Sequence, residues 1–276
     1  MLAVTDHNRF VLVERPRPGV ALVTLNRPER MNSMAFDVMV PLKHVLDELR
    51  SDNSVRVVVL TGAGRGFSSG ADHKSAGSVP HVDGLTRPTF ALRSMELLDD
   101  VILALRRLHQ PVIAAVNGAA IGGGLCLALA CDIRVAADGA YFRAAGINNG
   151  LTASELGLSY LLPRAIGASR AFEIMLTGRD VDADEAQRIG LVSHSVPENT
   201  LLATCYEMAE GMAAFSRPGI ELTKRTLWSG LDAASLEGHM QAEGLGQLFV
   251  RLLTANFEEA VAARAEKRPA VFTDDK

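Results

Sequence analysis

Apolar positions change period along this chain, and each change marks an element. Residues 10–14 and 20–25 alternate with a period of two, as half-buried strands do, with Arg15-Pro16-Arg17-Pro18-Gly19 as the turn between them. Residues 36–50 carry Val40, Val45, Leu46 and Leu49 at helical spacing. Residues 55–60 (VRVVVL) are too uniformly apolar for a half-exposed strand and read as a buried parallel one. Residues 90–108 read as a helix, and residues 112–116 (VIAAV) as a second buried strand. Farther on, helices are expected at about 153–160, 169–176, 183–189, 201–215 and 235–253, with one last short strand at 192–196.

Two stretches rich in glycine follow the two buried strands. The first is TGAGRGFSSG (residues 61–70), with a short helix expected to begin at Ala71-Asp72-His73-Lys74. The second runs from Asn117-Gly118 to Gly122-Gly123-Gly124, after which the small apolar residues 125–130 read as a helix that starts inside the glycine run. Two units thus share one plan, at about residues 36–75 and 90–131. If both strands lie in one parallel sheet, both turns fall at the same strand ends, where open α/β folds bind ligands. The first turn of a helix has N–H groups without partners and an electropositive end, and glycines leave those groups accessible. The turns therefore suit an oxygen carrying negative charge; close backbone packing is the plainer alternative. Residues 75–88 have the poorest pattern and are expected to form a mobile loop that shapes part of any pocket.

The 276 residues are ample for a core, and 48% hydrophobic with 22% charged residues describes an ordinary globular protein. A net charge of −4 argues against a nucleic-acid surface. No apolar run reaches membrane-spanning length, and MLAVTDHNRF shows no secretory pattern, so a cytoplasmic protein is expected. Cys126, Cys131 and Cys205 form no metal-ligand pattern and read as reduced, buried thiols. The fold class is α/β: a core over residues 1–198 and a helical C-terminal region over 199–276. The apolar face of that region, with Leu245, Leu248, Phe249, Leu252 and Leu253, suits a subunit interface or packing onto its own core. A nucleotide site on Gly62-Ala63-Gly64-Arg65-Gly66 is disfavoured, because neither P-loop nor dinucleotide-binding spacing is present.

The amides near Ala71 and Gly123, if they converge, make an oxyanion hole, worth about 3 kcal/mol per donor in a dry site. A thioester needs such a hole when charge moves to its carbonyl oxygen as an enolate. Here the sequence resembles the crotonase family, the enoyl-CoA hydratase/isomerase superfamily. The motifs that carry the resemblance are V-T-L-N-R-P-E-R-M-N-S (residues 23–33), V-V-V-L-T-G-A-G-R-G-F-S-S-G-A-D (57–72) and V-N-G-A-A-I-G-G-G-L-C-L-A-L-A-C-D (116–132). S-Y-L-L-P-R (159–164), L-T-G-R-D (176–180) and E-K-R-P-A-V-F (266–272) extend it to nearly the whole chain. The resemblance implies a spiral of ββα units with a helical tail, assembly as a trimer or a hexamer, and an acyl-CoA substrate whose thioester oxygen meets the amides of Ala71 and Gly123. It implies no separate cofactor and no metal, since coenzyme A is part of the substrate. It places Ser69 and Lys74 beside the substrate, Lys74 near the CoA phosphates, and Phe249 and Lys267 in the tail that meets CoA. For the lysines, ordinary solvated side chains are the alternative. His73 reads as a surface histidine, with the CoA channel as its alternative.

Departures from the family pattern set the chemistry. Hydratases of the family use two glutamates; this chain has Cys126 at one position and Gly146 at the other. One acid remains nearby, Glu155, which the resemblance to dienoyl-CoA isomerases places near a proton-moving carboxylate after a one-residue shift. Burial among Leu151, Leu156 and Leu158 would raise its pKa and make it a better base near neutral pH. Against this stands a capping box, Thr152-x-x-Glu155, with Leu151 and Leu156 as a hydrophobic staple. Asp72 reads as a helix-start residue and Asp132 as structural. The expected activity is isomerisation or atypical hydration of an enoyl-CoA with Glu155 moving the proton; the alternative is an acyl-CoA-binding protein with little turnover.

Overall fold

A computed structural model describes residues 9–72 and 74–274; residues 1–8, most of the stretch read for a secretory pattern, and His73 lie outside the described residues. The chain opens with the antiparallel pair β1 (Val11–Arg17) and β2 (Val20–Leu25). The strand runs through Pro16, so the turn is only Pro18-Gly19, shorter than the sequence suggests. Helix α1 (Phe36–Ser51) buries Val38, Met39, Leu42, Val45, Leu46 and Leu49, one face at a period of three to four. Strands β3 (Val57–Gly62) and β4 (Gly66–Ser68) follow, then α2 (Arg87–Arg107), β5 (Val112–Val116), β6 (Ala119–Ile121), α3 (Gly123–Ala130), β7 (Ile133–Ala137) and β8 (Tyr141–Arg143). The chain continues through α4 (Leu158–Ile166), α5 (Ala168–Thr177), β9 (Asp180–Asp182), α6 (Ala183–Arg188), β10 (His194–Val196) and α7 (Leu201–Ala213). It ends in α8 (Arg217–Gly230), α9 (Leu236–Leu253) and α10 (Asn256–Glu266).

Two sheets result. The larger has the order β1-β2-β3-β5-β7-β10 and is parallel from β2 onward; the smaller has the order β4-β6-β8-β9. After β3, β5 and β7 the chain crosses into the smaller sheet as β4, β6 and β8, which is the repeated ββ plan of a spiral fold.

Alternation explains why residues 57–60 of β3 and all of β5 are apolar. Val58, Leu60, Val112, Ala114 and Val116 face the main core, whereas Val57, Val59, Ile113 and Ala115 face a second one. Helix α7 covers that second face with Leu201, Cys205 and Ala209. Both faces are closed, and the polar residue near the end of β3, Thr61, is satisfied by donating its hydroxyl to Ala115 O at 2.8 Å. By contrast, α9 packs on α8 and α10 and leaves Leu245, Leu248, Phe249, Leu252 and Leu253 exposed.

Two expected helices are displaced or missing. Among the described residues, no helix starts at Ala71, and residues 74–86 hold none before α2. Asp72 Oδ1 accepts the N–H groups of Lys74 at 2.9 Å and Ser75 at 2.8 Å, the bonds of a helix cap, but no helix continues from them among the described residues. The helix expected at about 153 begins at Leu158 instead. Leu156 (φ +46°) and Gly157 (φ +79°) are left-handed, so a right-handed helix cannot pass through them.

Candidate functional site

Asn117 ties the two glycine turns together. Its Nδ2 donates to Gly64 O at 2.8 Å, and its Oδ1 accepts from Gly62 N at 3.3 Å. The ends of β4 and β6 then bring residues 70 and 123 side by side. A Cβ on Gly70 would lie 2.6 Å from Ile121 O and 3.3 Å from Gly123 N, so nothing larger than glycine fits between them. Ala71 forms a parallel bridge with Met34, in which Met34 N donates to Gly70 O at 2.7 Å; that bond leaves the Ala71 N–H out. Gly123 is the first residue of α3, where a backbone N–H has no acceptor within the helix. Unlike Gly123, Ala71 does not open a helix, which corrects the expectation that both amides sit at helix starts.

Glu155 lies at this same corner. Gly122 caps α3 at φ +52°, ψ −119°, and a Cβ there would be 3.0 Å from Glu155 Oε1. The carboxylate is therefore beside the electropositive end of α3, where the helix dipole favours negative charge. Glu155 is half-buried. Leu156 and Leu158 beside it are buried, but Leu151 is 61% exposed and gives it no cover. The capping box does not form: Thr152 Oγ1 donates to Ser154 O at 3.2 Å, and α4 starts beyond Glu155 with Gly157 as its cap residue. With Leu151 in solvent, no hydrophobic staple closes either.

The walls are apolar. A Cβ on Gly123 would overlap the Met34 thioether and lie 3.3 Å from Leu156 Cδ1, so these two side chains pack against the Gly123 α-carbon. Cys126, on the next turn of α3, is fully buried, and its Sγ donates to Glu155 O at 3.5 Å. Burial, and then the nearby Glu155 charge, push its thiol well above the usual range, so it stays neutral.

Asp72 braces the corner from behind. Its carboxylate is 1% exposed and accepts from Arg27 Nη1 at 2.9 Å, Arg30 Nη2 at 2.7 Å and Ser33 Oγ at 3.0 Å, besides the two amides already named. Burial alone would raise its pKa; the hydrogen bonds from Arg30, the Lys74 and Ser75 amides and Ser33 outweigh it and hold the carboxyl well below the usual range. This corrects its reading as a helix-start residue. Asp132, in contrast, is structural as expected: it accepts from Val112 N at 2.7 Å, Lys224 Nζ at 2.8 Å and Trp228 Nε1 at 2.6 Å, and so fastens α8 to the core.

The other candidate residues are spread more widely. Ser69 is half-buried in the same turn, with its N–H donating to Met31 O at 2.9 Å. Lys74 is exposed next to Asp72. Phe249 on α9 and Lys267, which caps the end of α10, are exposed on helices whose main packing is with α8 and each other. Met34, Arg27, Arg30 and Ser33 belong to the site's frame although only their motif pointed to the region. Among the described residues, no three His, Cys, Asp or Glu side chains converge as a metal site, and no helix is long and apolar enough to cross a membrane. The arrangement suits a substrate that builds negative charge on a carbonyl oxygen while the neighbouring carbon gives up a proton.

Comparison with known proteins points to one family. The model of the enoyl-CoA hydratase/isomerase family matches residues 15–275. A probable enoyl-CoA hydratase of Mycobacterium bovis is 84% identical over 266 residues, covering 96% of this chain and 93% of that protein. A probable enoyl-CoA hydratase/isomerase from Mycobacterium abscessus superposes with a TM-score of 0.93 at 74% identity, covering 97% of this chain and 100% of that one. A monofunctional enoyl-CoA isomerase from M. smegmatis superposes with a TM-score of 0.73 at 75% identity, covering 85% of this chain and 99% of that one.

Proposed function

Since this chain belongs to the enoyl-CoA hydratase/isomerase family, we propose that it is an enoyl-CoA isomerase in which Glu155 carries the proton. The observation behind this reading is the Glu155 Oε1 position, 3.0 Å from where a Gly122 Cβ would stand, at the mouth of α3. The thioester oxygen of a 3-enoyl-CoA accepts from the N–H groups of Ala71 and Gly123. The Glu155 carboxylate takes a proton from the α-carbon, and the electron pair spreads through the C=C to leave a dienolate with its charge on that oxygen. Glu155, now protonated, returns a proton to the γ-carbon, and the double bond ends between the α- and β-carbons. One carboxylate suffices, because it is base in the first half and acid in the second. The two amides stabilise charge that exists only along the reaction path, so they act on kcat.

The relative that is a monofunctional enoyl-CoA isomerase at 75% identity supports this assignment. The M. bovis relative bears a hydratase name and keeps a second reading open, water addition by Glu155 alone. Neutral Cys126 and side-chain-free Gly146 weigh against it. In the same reading Ser69, Lys74, Phe249 and Lys267 contact the CoA portion, and the exposed apolar face of α9 mediates trimer or hexamer formation. Glu155→Gln tests the assignment. With a 3-enoyl-CoA as substrate, it should slow turnover by about 100- to 10 000-fold and change KM little. Isomerisation at the wild-type rate in that variant would overturn the role of Glu155.

A further inference from the structure

The turn after β8 lies close to Glu155. Ala145 Cβ lies 3.9 Å from where a Cβ on Gly122 would stand, the same point that lies 3.0 Å from Glu155 Oε1. In the hydratase pattern that the sequence resembles, the two glutamates stand in this turn and at the α3 position of Cys126. Gly146 is buried and has φ −53°, ψ −45°, a backbone conformation open to any residue. Space, not backbone shape, is what requires glycine there. A Cβ at 146 would overlap the carbonyl oxygen of Thr152 and lie 2.8 Å from its carbon and 3.2 Å from Ala153 Cα.

Residue 146 is itself held against this main chain. Leu151 N and Asn149 N both donate to Gly146 O, at 3.0 and 3.1 Å, closing residues 146–151 into a turn. From outside, Gly178 presses on it: a Cβ at 178 would be 2.5 Å from Asn148 Oδ1 and 2.7 Å from Ile147 Cγ2. Ala153 itself is buried, and Glu155 follows two residues later.

We propose that the main chain at Thr152–Ala153 is a specificity determinant, which by filling the side-chain space of residue 146 limits the site to one acid and commits it to moving a proton rather than adding water. Water addition puts a hydroxyl on the β-carbon and a proton on the α-carbon, so it must hold and activate a water as well as deliver a proton. With Gly146 closed and Cys126 neutral, neither of those two positions shares that work with Glu155. This inference rests on the isomerase reading above and adds which part of the chain enforces it.

Two variants test it. Gly146→Ala, which adds a single methyl group, should displace Thr152, lower Tm by about 5 °C or more, and cut isomerisation kcat by about tenfold through the shift of Glu155. Gly146→Glu should give either an unstable protein or a folded one with no gain in 2-enoyl-CoA hydration, alone or with Cys126→Glu. A Gly146→Ala protein that melts within about 1 °C of wild type and keeps kcat within about twofold would overturn the proposal. So would a stable Gly146→Glu variant whose hydration-to-isomerisation ratio rises about tenfold. If wild type isomerises no enoyl-CoA, the functional reading fails, yet the melting point of Gly146→Ala still decides whether the backbone fills this space.

Discussion

Replacing Asp72 by Asn probes how the oxyanion corner is held. Asn keeps the shape but removes the charge, and it turns an NH2 group toward a shell made only of donors: Arg27, Arg30, Ser33 and the amides of Lys74 and Ser75. Removing one partner of a buried ion pair costs about 3–5 kcal/mol. Arg30 is one-third exposed and partly solvated, which puts the expected loss near the lower end, about 3 kcal/mol. At roughly 2–4 °C per kcal/mol for a chain of this size, Tm should fall by about 6–12 °C at pH 7. Because Asp72 directly follows Ala71, the amide should also lose its aim, and kcat should fall about tenfold at 25 °C with a smaller change in KM. The pH dependence has a definite sign. The folded-state pKa of Asp72 lies below its unfolded value, so its stabilisation is full above about pH 4 and drains away as pH falls through the folded value. The gap between wild type and variant should therefore narrow only below about pH 4. Thermal melts by circular dichroism across pH measure this. A Tm within about 2 °C of wild type at pH 7 would refute the idea that this carboxylate's charge holds the corner.

Gly122→Ala should act on the proton carrier. Its φ of +52° with ψ −119° costs a non-glycine residue about 1–3 kcal/mol, and the added Cβ, 3.0 Å from Glu155 Oε1, displaces the carboxylate. Steady-state kinetics should show kcat lowered with KM nearly unchanged; a variant that turns over as fast as wild type would argue that Glu155 is not held at Gly122 during the reaction. The three cysteines should be inert in the folded protein. Burial pushes Cys131 and Cys205 up to about 12, and Cys126 also rises well above its usual value. A thiol–disulfide reagent at pH 8 should label none of them until denaturant is added; one fast-reacting thiol would contradict the burial described for it.

Much of the frame is legible in the chain itself. The runs around Val57–Gly62 and Val112–Val116 read as buried parallel strands because α7 closes one face of their sheet and the main core the other. The neighbouring strands β4, β6 and β8 are three residues each, too short for any period to show. Glycine patterning marks both turns, but the approach of residue 70 to Gly123 depends on the second sheet that those short strands form. Thr152-x-x-Glu155 fits a helix start by every local rule. Left-handed Leu156 overrides it, held there by packing over Gly123. Asp72 is similar: an acid after glycine resembles a helix start until Arg27 and Arg30, far away in sequence, enclose it.

Transfer of protons by Glu155 alone is tested most directly by turnover of a 3-enoyl-CoA in heavy water, with products read by mass spectrometry and NMR. Wild type should yield 2-enoyl-CoA with deuterium at the α- or γ-carbon and no 3-hydroxyacyl-CoA, and Glu155→Gln should abolish the exchange. Accumulation of 3-hydroxyacyl-CoA, or undiminished deuterium uptake in Glu155→Gln, would contradict the one-carboxylate account.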